Sequence, residues 1–226
     1  KIDASGVHGI PTVLSSPLGG RDILRQGEAD VSVVAKSLAR LDVTGDAVAD
    51  VDPTRVHYVG LSLGGLAGVA QAKFAPGLRT VTVGAPGGVI TRILRESPSF
   101  APTVNAAVAA SAPVGSTLND ILFREIQTII DPGDPINHIC ECVNNKPFHL
   151  IKVVADTVIP NATTDLLIRA GNLRKLTSGT TAVAPGKGVY VSFIQGSHGS
   201  LFDPTASAAA TVEMQRQTIG FAASAI

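Results

Sequence analysis

The chain lacks a net charge. Its 226 residues carry 18 Lys and Arg against 18 Asp and Glu, which leaves no electrostatic footprint for nucleic acid or an anionic membrane surface. Long apolar runs are also missing, and none reaches the roughly 18 residues of a membrane span. Cysteine is scarce. Cys140 and Cys142 are the whole supply, and an i,i+2 disulfide between them is geometrically awkward. Two thiols with His138 close by in the chain make a poor cage for one metal ion. Loop thiols or a local disulfide come first, then a bond to a segment outside this chain, then a metal site. Internal repeats and low-complexity linkers are absent. What is present is 45% hydrophobic and 16% charged, the balance of one large globular domain with a real core.

Within that domain the run Gly60-Leu61-Ser62-Leu63-Gly64 stands out. It reads G-x-S-x-G, and both flanks suit it. Arg55-Val56-His57-Tyr58-Val59 reads as a buried strand. Gly65 to Phe74 reads as a helix of small residues closed by Pro76-Gly77. Strand, sharp turn, helix is the setting in which this motif exposes a nucleophilic serine. The turn strains the serine backbone, and the flanking glycines remove Cβ atoms that would clash there. Ser62 then sits at the carboxyl edge of a sheet, beside a positive helix N-terminus.

The rest of the chain alternates strands and helices. Residues 1–20 read as loop. Residues 22–41 read as an amphipathic helix with Leu24, Val31, Val34, Leu38 and Leu41 on one face. Strands are expected at Arg55–Val59, Thr80–Val83, Leu150–Ala155 and Val189–Ile194. Residues 89–147 carry no strand, only helical patches at Ile90–Arg95, Val104–Ala110 and Leu118–Ile130, separated by prolines. Asp165–Gly171 reads as a short helix. A C-terminal helix should follow Asp203-Pro204, with Asp203 as its N-cap and proline in the first turn. The pattern is that of an α/β doubly wound, mostly parallel sheet.

A serine needs a base, and the base needs an orienting acid. In this architecture the order is serine, acid, histidine. Asp156 follows the third long strand and His198 lies in the glycine-flanked loop after the fourth, so both emerge at the edge that carries Ser62. Asp134 rivals Asp156 but follows a helix. His8 and His138 lie elsewhere, and His57 and His149 sit in or against strands, where packing accounts for them. The backbone amide of Leu63 is one oxyanion donor. A second should come from a loop after an earlier strand, and His8-Gly9 is a candidate. The strand bearing a nucleophile normally lies in mid-sheet. Here its earlier neighbours are missing from the pattern, and an open apolar edge invites aggregation. The first strands are therefore expected on another polypeptide or removed, the rival being a minimal sheet in which His8-Gly9 serves the oxyanion hole.

Residues 89–147 form an insertion between the second strand and the strand that precedes Asp156, a place for a cap over the site. Its Ile90, Ile93, Leu94, Phe100 and Leu122 are candidate acyl-chain contacts, with ordinary core packing as the competing account.

These residues resemble the α/β-hydrolase superfamily. More narrowly, they resemble the VolA-type secreted lipases and surface-exposed lysophospholipases of Gram-negative bacteria. Arg21 to Gln26, the elbow and its strand, Gln127 to Ile130, Asp134 to Asn137, Asp156 to Pro160 and Gln195 to Pro204 carry the likeness over nearly the whole chain. The resemblance implies a serine carboxylic-ester hydrolase with Ser62, Asp156 and His198 as its triad, no metal or cofactor, and an extracellular or cell-surface setting. It also implies lipid-interface contact through the cap and an N-terminal stretch bearing the early strands. A phospholipase, a short-acyl or aliphatic-polyester hydrolase, an acyltransferase and a non-catalytic binding protein are the alternatives.

Overall fold

The computed structural model describes residues 10–73, 75, 77–154 and 156–225. Five strands form one sheet in the order β1-β2-β3-β5-β4, where β1 is Val56–Leu61, β2 Leu78–Gly84, β3 Phe148–Val153, β4 Arg174–Leu176 and β5 Val189–Phe193. All four pairings are parallel. Parallel neighbours require crossovers, and helices supply them. The helices are α1 (Ile10–Ser15), α2 (Pro17–Ser37), α3 (Leu63–Ala72), α4 (Ile90–Glu96), α5 (Ala101–Val108), α6 (Thr117–Ile130), α7 (Ile139–Asn145), α8 (Asn161–Ala170) and α9 (Ala208–Ala223).

Alternation along β3 explains the two faces of the sheet. Phe148 and Leu150 point to one side, where they meet Val69 and Ala72 of α3, Ile139, Cys142 and Val143 of α7, and Leu167 and Ile168 of α8. Ile151 and Val153 point to the other, onto Ala210 and Met214 of α9 and Leu201. His149 shares that second face and stacks on Phe221 of α9, ring centroids 5.1 Å apart. A third cluster lies among the helices of 90–130.

The expected strands are present with shifted ends, and the three-residue β4 is an addition too short and exposed to carry a periodic signal. The helix at 22–41 begins earlier and ends sooner. Ser16 accepts a hydrogen bond from the Gly19 amide and Pro17 opens the first turn, so Gly19-Gly20 is helix and not loop. A Cβ on Gly20 would stand 3.1 Å from the Val13 Cα, so that glycine lets α1 and α2 approach. Val34, expected inward, is exposed. Leu24 packs inward as expected, and Ala35 rather than Val34 joins a core cluster. Asp203 does not cap the last helix. Its carboxylate takes the Thr205 amide in a local turn, and the cap is Ser207, whose hydroxyl accepts from Ala210. Cys140 and Cys142 are free thiols on α7, one exposed and one buried. No described helix is long and apolar enough to cross a membrane.

His149 is fully buried, and neither ring nitrogen has a hydrogen-bond partner. Burial therefore favours the neutral ring and pushes its pKa down to about 4. The folded value lies below the unfolded one, so this stabilisation is complete above roughly pH 6.5 and is lost as the pH falls toward 4. Urea unfolding is expected to show a loss of about 3 kcal/mol across that window. In His149→Leu the acid limb should flatten, and an unchanged limb would assign the loss elsewhere.

Candidate active site

Ser62 lies between the last residue of β1 and the first of α3. Its backbone has φ 56 and ψ −119, a strained region for a residue with a side chain. The strain is held from both sides. The Ser62 amide donates to the Gly84 carbonyl at the end of β2, and its own carbonyl accepts from Leu66 one turn into the helix. Gly60 makes this turn feasible, because a Cβ there would fall 2.3 Å from the Gly64 oxygen. Gly64 does not share that role. A Cβ at Gly64 would meet nothing nearer than the Tyr58 hydroxyl at 3.8 Å. The two glycines of the motif are thus unequal. The backbone of Gly64 matters differently: its carbonyl accepts from Tyr58 Oη at 2.6 Å, which locks strand to helix.

Asp156 follows β3 and is buried. Its Oδ1 accepts two backbone amides, Val158 at 2.8 Å and Ile159 at 2.9 Å. Its Oδ2 lies 2.7 Å from His198 Nδ1. Both oxygens are committed, so the carboxylate has no freedom to rotate. His198 follows β5 in a tight turn. Ser200, which is fully buried, accepts the Ser197 amide on its hydroxyl at 2.7 Å and returns its own amide to the Ser197 carbonyl. Gly196 takes φ 104, and a Cβ there would press on the Ser200 oxygen at 2.9 Å. Ser200 and Gly196 therefore aim the imidazole. The sequence assigns Ser200 no role of its own, because a lone serine two residues past a histidine carries no periodic signal.

The three residues follow the carboxyl ends of three parallel strands of one sheet. Leu61, beside Ser62, and Leu201, three residues past His198, pack in the same cluster as Ile151 and Val153 of β3. The Val154 amide, two residues before Asp156, donates to Phe193 at the end of β5. Among the described residues the Ser62 hydroxyl forms no hydrogen bond, whereas Asp156 and His198 are joined to each other. The Leu63 amide, first in α3, has no acceptor four residues back in the helix. It is free to donate at the positive helix end. His8-Gly9 lies outside the described residues.

The competing candidates have other duties. Asp134 is fully buried. It accepts the Val89, Ile90 and Ile136 amides and Gln127 Nε2, which pins the loop after β2 to the insertion. His57 Nδ1 pairs with Thr80, and His138 Nε2 with the Pro132 carbonyl. Ile90, Ile93 and Leu94 are buried against Val104, Phe123, Ile126 and Ile159, with Phe100 and Leu122 packed on the same cluster. These five therefore fill a core, because each faces a neighbouring helix. The apolar side chains open to solvent near the site are different ones: Val154 beyond β3, Ile194 beyond β5, and Phe202 beyond His198. No cluster of three or more potential metal ligands occurs among the described residues.

No protein-family model matches the chain, and no curated protein matches its sequence. Solved structures do match. An acetyl xylan esterase from a Thermoanaerobacterium species superposes with a TM-score of 0.56 at 17% identity, over 91% of this chain and 57% of that one. A provisionally named dienelactone hydrolase from Klebsiella pneumoniae gives 0.55 at 16%, over 96% and 68%. The acylaminoacyl peptidase of Pyrococcus horikoshii gives 0.53 at 15%, over 86% and 27%. At such identities the likeness is one of fold. The chain has the α/β-hydrolase fold, and it spans little more than half the length of the first of these proteins.

The elbow geometry makes a paired prediction. Gly60→Ala should cost at least ~2 kcal/mol through overpacking, whereas Gly64→Ala should be neutral or stabilising by up to about 1 kcal/mol through helix propensity. Chemical denaturation of the two variants separates them. A Gly60→Ala protein as stable as Gly64→Ala would mean that the clash at Gly60 is relieved by movement of α3.

Proposed function

We propose that this chain is a serine hydrolase that cleaves carboxylic esters of apolar acyl groups. The reading is carried by the His198–Asp156 contact at 2.7 Å, set at the sheet edge that bears the strained Ser62 turn. Ser62 Oγ attacks the ester carbonyl as His198 Nε2 takes its proton. The Leu63 amide, with a second donor, stabilises the oxyanion. The bond to the alkoxy oxygen then breaks, and His198 returns the proton to the departing alcohol. Water, deprotonated by the same imidazole, attacks the acyl-enzyme, and the acid leaves. Exposed Val154, Ile194 and Phe202 favour an apolar acyl portion, since they offer greasy surface beside His198 and Asp156. The fold shared with an esterase supports ester cleavage in kind.

Asp156 has a further consequence. Its Oδ1 position faces two amide donors, so in Asp156→Asn the carboxamide oxygen must occupy that side. The NH2 then faces His198 Nδ1, which becomes an acceptor, and the ring proton moves to Nε2. The imidazole would be held in the tautomer that cannot act as base. Turnover of p-nitrophenyl esters should fall by about 10³–10⁴ in Asp156→Asn and by about 10⁵ or more in Ser62→Ala, with both proteins folded by circular dichroism. A Ser62→Ala protein that kept most of its turnover would end the proposal. Across a graded acyl series, the rate should peak at medium or long chains. An optimum at acetyl would retain the hydrolase and remove the apolar-acyl assignment.

A further inference from the structure

Away from the candidate active site, α2 and α3 enclose an open cleft of about 500 Å³ lined by Asp22, Arg25, Gln26, Glu28, Ala29, Ser32 and Gln71. Gln71 is nine residues past Ser62, about 13 Å along the helix, so the cleft is separate from the nucleophile. Gln71 continues the stripe of α3 that includes Gly64 and Gly68, on which Tyr58 of β1 rests.

Its floor is chemically unfinished. Gln71 is fully buried, yet neither its Oε1 nor its Nε2 has a partner. Glu28 is 9% exposed, and its Oε1 is likewise unpaired. The remaining polar side chains are engaged: Asp22 with Arg21, Gln26 with Asp30, and Ser32 with the Glu28 carbonyl. Buried polar groups without partners are rare because each costs about 1–3 kcal/mol of desolvation. Here three such atoms belong to two side chains that line one open cleft. Burial raises the Glu28 carboxyl to about 7 against the pull of Arg25, as expected of a carboxylate that lacks its counter-ion.

The orphans specify a ligand. Glu28 Oε1 and Gln71 Oε1 accept and need N–H donors, while Gln71 Nε2 donates and needs an oxygen. Asp22 is paired with Arg21, whereas no cation among the described residues forms an ion pair with Glu28, so its ionised carboxylate is the charge left to be matched. A guanidinium would satisfy the charge but offers no acceptor. A neutral amide would satisfy the hydrogen bonds but not the charge. A primary ammonium with a neighbouring carbonyl supplies all three complements. We propose that the α2–α3 cleft binds an α-amino amide, its ammonium on Glu28 and Gln71 Oε1 and its carbonyl on Gln71 Nε2. The same group exists as a free small molecule and as the amino terminus of a peptide.

Titration at about pH 7, where an α-amino group is still mostly protonated, tests this. The probes are glycinamide, triglycine amide, and propionamide as the uncharged control, followed by the 13C shift of the Glu28 carboxyl. Glycinamide is expected to saturate the shift. Propionamide, and glycinamide added to Glu28→Gln, should bind at least about tenfold more weakly, as expected when a charge-assisted hydrogen bond is lost. Triglycine amide binding tenfold tighter than glycinamide would identify a peptide as the source, and equal affinities a small molecule. Absence of saturation, equal binding of propionamide, or undiminished binding by Glu28→Gln would overturn the assignment. The glycinamide–propionamide contrast is read on the unmodified chain, so it stands even if Glu28→Gln misfolds. Ser62 hydrolysis is not the readout, so the two readings succeed or fail separately.

Discussion

The hydrogen bond between Asp156 and His198 joins loops 42 residues apart in the chain, and the catalytic reading depends on it. It exists because β3 and β5 are hydrogen-bonded parallel neighbours. Parallel strands deliver their carboxyl ends to the same edge, so the loops that follow them emerge side by side. A carboxylate and an imidazole on adjacent loops need only short-range turn chemistry to meet. That chemistry is supplied by the Val158 and Ile159 amides on one side and by Ser200 on the other.

The nucleophile turn obeys the same economy. β1 pairs with β2, and the Gly84 carbonyl at the end of β2 takes the Ser62 amide. A residue with a Cβ therefore holds a positive φ because its neighbours satisfy its polar groups in that conformation and no other. The loop that leaves β2 is itself strained at Ala85 and Val89. It is anchored by Asp134, whose carboxylate gathers three amides and the Gln127 side chain. Most of the strain at this end of the molecule is thus matched by a buried carboxylate or carbonyl rather than by apolar packing.

Apolar packing accounts for the insertion. Ile90, Ile93 and Leu94 looked equally suited to a substrate and to a core, since an amphipathic helix presents the same stripe to either. The packing partners decide, and those partners come from α5, α6 and the Ile159 turn. Short-range signals were similarly ambiguous at Asp203, where Asp-Pro fits a helix start. Ser207 won because its side chain reaches the Ala210 amide, while Asp203 is occupied by Thr205.

Some properties follow from order along the chain alone. The alternation of apolar strands with helices requires a parallel sheet, because short parallel strands can be joined only through crossovers. The G-x-S-x-G run between strand and helix locates the turn, since its steric demands are local and Gly60 answers them. Asp156 and His198 are legible for the same reason: each closely follows a recognisable strand. What order along the chain could not decide is which polar groups would be left over. Gln71 and Glu28 read as two more helical residues. Only the approach of α2 to α3 buries both without partners, because desolvation depends on the neighbour across the cleft and not on the neighbour in sequence.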